Sequence, residues 1–225
     1  MPTHTSRAYQ QELSELQQRL IAMGSRCEQL IDMASRAMGE RDADLAAEVE
    51  EADRRIDVDE MEIDELTVRI LALRQPAARD LRFLVFALKV VTDLERIGDE
   101  AANMAERAAQ LAEHGFPVSR LQPQLQRMAG LTKELVHQAL DAFVEGDEAL
   151  AREVRARDDE VDALYGAIRR GCLAYVEEHP DRVPAAMCIA STSKYLERIA
   201  DHATNIAEMV VFVTSGEDVR HPVPR

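Results

Sequence analysis

Two short acidic motifs in this chain have the residue types and the spacing to bind a metal ion. Glu95 lies four residues before Asp99, and Glu197 lies four residues before Asp201. On a helix, residues at this spacing lie one above the other on the same face, so that both carboxylates could share one cation. Carboxylate oxygens are hard ligands of the kind that divalent and ferric ions take.

Each motif lies inside a 13-residue window that occurs twice. Residues 94–106 and 196–208 are identical at nine of 13 positions at an offset of 102, whereas the 13 residues before each window share none. Leu94, Ile97 and Ala101 begin an apolar seam of alternating three- and four-residue spacing, so helix packing explains their retention. The acidic residues fall roughly opposite that seam, and packing does not explain why they persist.

A second set of acidic pairs precedes the two windows. Asp53 and Asp57 recur as Asp158 and Asp162 at an offset of 105. Like charges at this spacing cost an isolated helix about 0.2–0.5 kcal/mol per pair, so four such pairs at matched places suggest a bound cation. Amides continue the acidic stripe of each window. The predicted metal ligands are Glu95, Asp99, Glu197, Asp201, Asp53, Asp57, Asp158, Asp162, Asn103 and Asn205.

A solvated acidic surface is the alternative to a metal site. A single Glu-x-x-x-Asp pair is common in acidic helices, and Arg96 and Arg198 could neutralise the motifs as surface ion pairs worth about 0–1 kcal/mol. The double occurrence in a diverged chain favours a functional stripe. His202, next to Asp201, could be an optional ligand or a surface residue.

The ligand types narrow the choice of metal. Sites rich in oxygen, with no cysteine and little histidine, fit the Fe, Mn or Mg class better than Zn. Ala200 replaces Gly98 in the second window. We expect this small change to leave the ligands alone.

The motifs must be positioned by helices. Gly and Pro number only 9 and 8, while the abundant Ala, Leu, Glu and Arg favour helix. Breaks in the pattern predict an all-α fold of two tandem three-helix bundles, residues 7–114 and 118–214, each with its own core, and a loose tail at 215–225. The first three predicted helices run from about 7 to 39, from a cap at Asp42 to about 75–76, and from about 78 to 113. The last three run from about 121 to 144, from 147 to 179–180, and from 184 to 214.

Composition argues against several classes of function. A net charge of -15, from 27 basic and 42 acidic residues, argues against nucleic acid and anionic membrane surfaces. Three cysteines without paired spacing, an N-terminus unlike a signal peptide and the lack of a long apolar run predict a cytoplasmic protein with no direct membrane insertion. The chain has no Gly-rich phosphate loop and no nucleophile motif, so we do not expect an enzyme.

The repeated window resembles the signature of the PhoU family of phosphate-uptake regulators. It reads Leu-Glu-Arg-Ile-Gly-Asp at 94–99 and Leu-Glu-Arg-Ile-Ala-Asp at 196–201. The resemblance covers about residues 8–214, and the Asp-x-x-x-Asp pairs of the preceding helices also fit it. It implies two three-helix bundles related by pseudo-two-fold symmetry, multinuclear metal sites on the bundle surfaces, and commonly homodimers.

The resemblance also implies a regulatory role. Similar family members repress the phosphate-starvation response by bridging the ATPase subunit of the phosphate ABC transporter and the sensor histidine kinase. Our interpretation is a cytoplasmic negative regulator of phosphate uptake that acts by protein contact and binds metal on its acidic helix faces. Two alternatives stay open: a metal-storage or metal-dependent catalytic bundle, and a plain acidic helical scaffold for basic partners.

Overall fold

Six long helices make up nearly all of the described protein. The computed structural model describes residues 3–76, 78–114 and 121–215, and this part of the chain contains no strand. The helices are α1 (Thr3–Glu40), α2 (Ala43–Arg74), α3 (Ala78–His114), α4 (Gln122–Glu145), α5 (Glu148–Glu178) and α6 (Val183–Ser215), with a 3₁₀ turn at Pro180–Arg182. The predicted fold class and the six helices are confirmed. Of the predicted tail, Ser215 ends α6 and 216–225 lie outside the described residues.

The turns from α1 to α2 and from α4 to α5 are built alike. Asp42 Oδ1 accepts a hydrogen bond from the backbone N–H of Leu45, and Asp147 Oδ1 accepts one from that of Leu150. These aspartates cap the first turns of α2 and α5, where backbone donors lack helical partners. The residues before them, Arg41 and Gly146, adopt left-handed backbone conformations with φ of 57° and 71°.

The helices of each repeat pack together, and the repeats pack on each other through α1 against α4 and α3 against α6. The predicted seam that begins with Leu94, Ile97 and Ala101 on α3 is buried, and so are the corresponding residues of α6, which are Leu196, Ile199 and Ala203. The buried apolar residues form one continuous cluster. The expectation that each bundle has its own core is therefore corrected: the interior is shared. No helix in the described ranges has the length and hydropathy needed to span a bilayer.

Equivalent buried hydrogen bonds mark the pseudo-symmetry of the two repeats. The Cys27 thiol of α1 donates to the carbonyl oxygen of Leu94 at 3.3 Å, and the Thr132 hydroxyl of α4 donates to that of Leu196 at 3.4 Å. The donors are related by the offset of 105 and the acceptors by the offset of 102. The start of each retained window is thus tied to the first helix of its own repeat.

We predict that Gly146→Ala lowers the free energy of unfolding by about 1–2 kcal/mol, because a Cβ is unfavourable in the left-handed conformation. Urea unfolding followed by circular dichroism measures the change. Gly130→Ala is the matched control, since Gly130 lies within α4 with no atom within 4 Å of an added Cβ. The control should gain about 0.5–1 kcal/mol from its better helix propensity. Equal effects of the two substitutions would show that the turn does not hold Gly146 in this conformation.

Candidate metal centre

The first group of predicted ligands lies where α2 packs against α3. Asp53 and Asp57 belong to α2, and Glu95 and Asp99 belong to α3. The charges of Asp57 and Asp99 both act on Asp53, so carboxylates of the two helices meet at this contact. These four residues are called the first site. Their counterparts on α5 and α6, Asp158, Asp162, Glu197 and Asp201, are called the second site.

Gly98 allows the close approach of the two helices at the first site. A Cβ on this residue would lie 2.7 Å from Asp53 Oδ1 and 3.1 Å from Ile56 Cδ1, so one of the neighbours would have to shift. The second repeat carries Ala200 here. Asp158 is nevertheless half-buried beside Asp162 and Asp201, as Asp53 is beside Asp57 and Asp99.

The carboxylates of the first site are partly withdrawn from water. Burial, followed by the charges of Asp57 and Asp99, raises the pKa of Asp53 to about 6. Burial and then the charge of Asp99 also raise the pKa of Glu95, whose side chain is only 17% exposed. The acidic stripe is therefore not a freely solvated helix face. Both shifts mean that the ionised carboxylates are destabilised, and a nearby cation would relieve this.

Two further acids of α2 extend the first site and were missed in the sequence. Burial and the charges of Asp64 and Asp57 raise the pKa of Glu60, and the charge of Glu60 in turn raises that of Glu95. Asp64 Oδ1 and Glu95 Oε2 are buried oxygens without a hydrogen-bond donor. Acidic spacing continues from Asp57 through Glu60 to Asp64 and could have revealed them. Identity between the two repeats does not reveal Glu60 and Asp64, because the corresponding residues of the second repeat are not acidic.

Arg96 pairs with the acids of the first site, as the surface-ion-pair alternative predicts. Its Nη1 donates to Asp99 Oδ2 at 3.0 Å, and its Nε lies 3.3 Å from Glu95 Oε2 without forming a hydrogen bond. The Arg96 side chain is 56% exposed, so water screens both contacts. One screened guanidinium leaves most of the negative charge of the first site uncompensated.

The second site shows the same crowding of acids. Burial, then the charges of Asp201 and Asp162, raises the pKa of Asp158 to about 6. Burial and the charge of Glu197 raise the pKa of Asp201, while the charge of Lys194 acts in the opposite direction. The Lys194 ammonium donates a hydrogen bond to Glu197 Oε2. The second site therefore includes a basic side chain that the sequence interpretation did not consider.

The amides and His202 are directed elsewhere, towards the contact between α3 and α6. Asn103 Nδ2 donates to Glu100 Oε2 at 3.5 Å, and Asn205 Nδ2 lies 3.4 Å from Asp93 Oδ1. His202 Nδ1 is 2.8 Å from the same Asp93 oxygen. The structure thus brings together the eight predicted carboxylates as two groups of four and places both predicted amide ligands beside other partners.

The donor set is suited to hard cations. In the described part of the chain, no three Asp, Glu, His or Cys side chains converge closely enough to hold an ion as they stand. Side-chain rotations would be needed to bring the oxygens onto one metal. In the first site, buried oxygens without donors and carboxylates with raised pKa values fit a cation.

Comparison with known proteins gives matches along nearly the whole chain. The family model for the PhoU domain matches residues 20–108 and again residues 125–210. A "phosphate-specific transport system accessory protein PhoU homolog" of Pseudomonas aeruginosa is 41% identical over 218 residues, which are 97% of this chain and 90% of that protein. The homolog of the same description from Caulobacter vibrioides is 39% identical over 225 residues, 100% of this chain and 97% of that protein.

Two solved structures have the same fold. The crystal structure of PhoU from Pseudomonas aeruginosa superposes with a TM-score of 0.88 at 40% identity, and covers 93% of this chain and 100% of that chain. The phosphate transport system regulatory protein PhoU from Streptococcus pneumoniae gives a TM-score of 0.86 at 27% identity, and covers 94% and 99%. The six-helix arrangement is therefore shared well beyond the retained windows.

We predict that Asp53→Asn stabilises the protein in chelator, and that the gain appears as pH rises. The folded pKa of Asp53, about 6, lies above its unfolded value, so ionisation disfavours the fold from about pH 4 upwards and fully so above about pH 6. Asparagine removes that cost. After allowance for screening of this half-buried group, we expect a gain of about 1–2 kcal/mol above pH 6 and little below pH 4.

Urea unfolding at several pH values in the presence of EDTA measures this difference. Glu65→Gln is the control, because Glu65 lies on the same helix and is exposed. It should leave the free energy of unfolding nearly unchanged across the range. A gain for Asp53→Asn that is the same at all pH values would contradict the assignment to ionisation.

Proposed function

The chain belongs to the PhoU family, and on this premise we propose that it regulates phosphate transport by contact with other proteins and not by catalysis. The observation that carries the proposal is the extent of the similarity. Both repeats match the family domain, and relatives at about 40% identity over nearly the full length are named as accessory proteins of phosphate-specific transport.

At a finer level, we propose that it is a cytoplasmic negative regulator of phosphate uptake and phosphate-starvation signalling. Its partners would be the ATPase subunit of the phosphate ABC transporter and the sensor histidine kinase. The predicted homodimer belongs to the same proposal. Strong negative charge, with 42 acidic against 27 basic residues, suits docking on basic protein surfaces.

Exposed apolar residues at equivalent positions of the two repeats support a docking role. Val68, Leu81 and Val85 of the first repeat correspond to Leu173, Val183 and Met187 of the second, and all six are more than 40% exposed. They lie near the end of each repeat where its second helix turns into its third. Exposed apolar side chains at the same positions of both repeats suit a partner that presents two like surfaces.

We also propose that the acidic sites bind metal ions of the Fe, Mn or Mg class. By the family resemblance, each site would hold more than one ion. Half-buried carboxylates with mutual repulsion, and the buried oxygens of Asp64 and Glu95 without donors, support a cation in the first site. A metal ion there would supply positive charge across α2 and α3. It would join these helices at a contact where their side chains repel one another.

We predict that Val85→Glu combined with Met187→Glu weakens binding to the transporter ATPase subunit by about tenfold or more, since tenfold corresponds to about 1.4 kcal/mol. Affinity is measured by calorimetry with the purified ATPase. Met61→Glu is the matched control, because Met61 is 63% exposed but its counterpart in the second repeat is Gly166. Sedimentation of each variant without the ATPase shows whether the predicted homodimer is kept, so that weaker ATPase binding can be told apart from loss of the dimer. Equal weakening by the control and the double variant would remove the two positions from the docking surface.

We predict that Glu95→Gln combined with Asp99→Asn lowers the metal content of protein purified without chelator by about half or more, because two charged ligands are lost from the first site. Elemental analysis by mass spectrometry measures it. Glu177→Gln, an exposed acid near the end of α5, is the control and should keep its metal. Unchanged metal in the double variant would contradict the ligand assignment. Loading with many iron ions per chain would favour a storage bundle, and partner binding indifferent to chelator would favour a plain acidic scaffold.

A further inference from the structure

The two acidic sites have the same motif but different surroundings on their second helices. In α2 the acids of the first site continue to Glu60 and Asp64, whereas the corresponding residues of α5 are Tyr165 and Arg169. The Arg169 guanidinium lies 5.5 Å from the centroid of the Tyr165 ring, over its face. The second site therefore lacks the carboxylates that correspond to Glu60 and Asp64, although Asp159, at the position of Arg54, adds one beside Asp158.

The third helices of the repeats, α3 and α6, also differ, and again the second repeat carries the more basic residue. Lys194 occupies the position that corresponds to Thr92, whose hydroxyl donates a hydrogen bond to the carbonyl oxygen of Leu88 in its own helix. The Lys194 ammonium donates to Glu197 Oε2 and also lies 5.5 Å from the Tyr165 ring centroid. An ammonium held by a carboxylate and by an aromatic face is attracted by both. Lys194 is thus positioned on one of the carboxylates that a metal would need.

Glu95, the counterpart of Glu197, receives no such hydrogen bond. Glu95 Oε2 is buried without a hydrogen-bond donor, and the arginine beside it is mostly in solvent. The backbone adds to the contrast, because Gly98 leaves room for the Asp53 carboxylate, whereas Ala200 carries a methyl group at the corresponding position. The first site therefore fits a metal ion by its donor set, and the second fits one poorly as long as Lys194 remains on Glu197.

We infer that Lys194 is the built-in cation of the second site, and that the two repeats consequently bind metal with unequal affinity, the first site tightly and the second weakly. The inference rests on the proposed metal binding. A divalent ion that enters the second site must displace the hydrogen-bonded Lys194 ammonium from Glu197. At Glu95 it meets the Arg96 guanidinium, whose Nε lies 3.3 Å away without a hydrogen bond and whose side chain is 56% exposed. In the absence of metal, Lys194 offsets the repulsion among Asp158, Glu197 and Asp201, whereas the first site stays strained.

The test exchanges the two equivalent residues. Chelator-stripped full-length protein is titrated with Mn²⁺, and free Mn²⁺ is followed by electron paramagnetic resonance. Glu95→Gln should abolish the tight binding and Glu197→Gln the weak binding, which assigns each class to its site. Lys194→Thr should tighten the weak class about tenfold or more, and Thr92→Lys should weaken the tight class by a similar factor. Thr92 is exposed and Lys194 is 39% exposed, so both substitutions are compatible with folding.

Thermal unfolding in EDTA gives a second readout that does not depend on which metal is used. Lys194→Thr should lower the melting temperature because it leaves Glu197 unpaired, and Thr92→Lys should raise it by adding a cation beside the first site. The inference is overturned if neither exchange changes the affinities or the melting temperature. It is also overturned if tight Mn²⁺ binding is lost with Glu197→Gln and kept with Glu95→Gln. In both cases metal binding itself stands. If the wild-type protein binds no Mn²⁺, the proposed metal binding falls and the inference with it.

Discussion

Repulsion between half-buried carboxylates, at the contacts of α2 with α3 and of α5 with α6, is the constraint on which the rest of this structure depends. It persists because apolar burial outweighs it. Leu94 and Ile97 are fully buried on the opposite side of α3, and such side chains contribute about 1.5–3 kcal/mol each. A like-charge pair costs about 0.2–0.5 kcal/mol on an isolated helix, and the ionisation of half-buried Asp53 costs about 1–2 kcal/mol. The shared core can therefore hold acids together that would separate on isolated helices.

The contact between α3 and α6 explains why equivalent arginines behave differently. Arg96 turns to Glu95 and Asp99 of its own helix, but Arg198 Nη1 donates to Glu100 Oε1 of the other repeat at 3.1 Å. Glu100 corresponds to His202, so the junction is asymmetric at its centre. While Arg198 donates across the junction, Glu197 accepts its hydrogen bond from Lys194.

Most of the fold could be predicted from the sequence because helix boundaries leave local signals. Asp42 and Asp147 each cap a helix start, and apart from the start of α1 every predicted helix end lies within two residues of the observed one. The continuous core could not be predicted, since it depends on how α1 meets α4. The carboxylates were found because they repeat. Glu60 and Lys194 were missed because the corresponding residue of the other repeat differs in chemistry. Identity between the two repeats cannot reveal such positions.

This pattern of retention and divergence indicates which helix sets the chemistry of each site. The windows on α3 and α6 are alike at nine of 13 positions, and they provide the same two carboxylates and the same buried seam. The differences lie around them: Glu60 against Tyr165, and Thr92 against Lys194. A carboxylate pair has one affinity for a cation when further acids flank it and another when an ammonium is already bound to it. The repeated motif therefore identifies where a cation is needed, and its neighbours decide whether a metal ion or a lysine provides it.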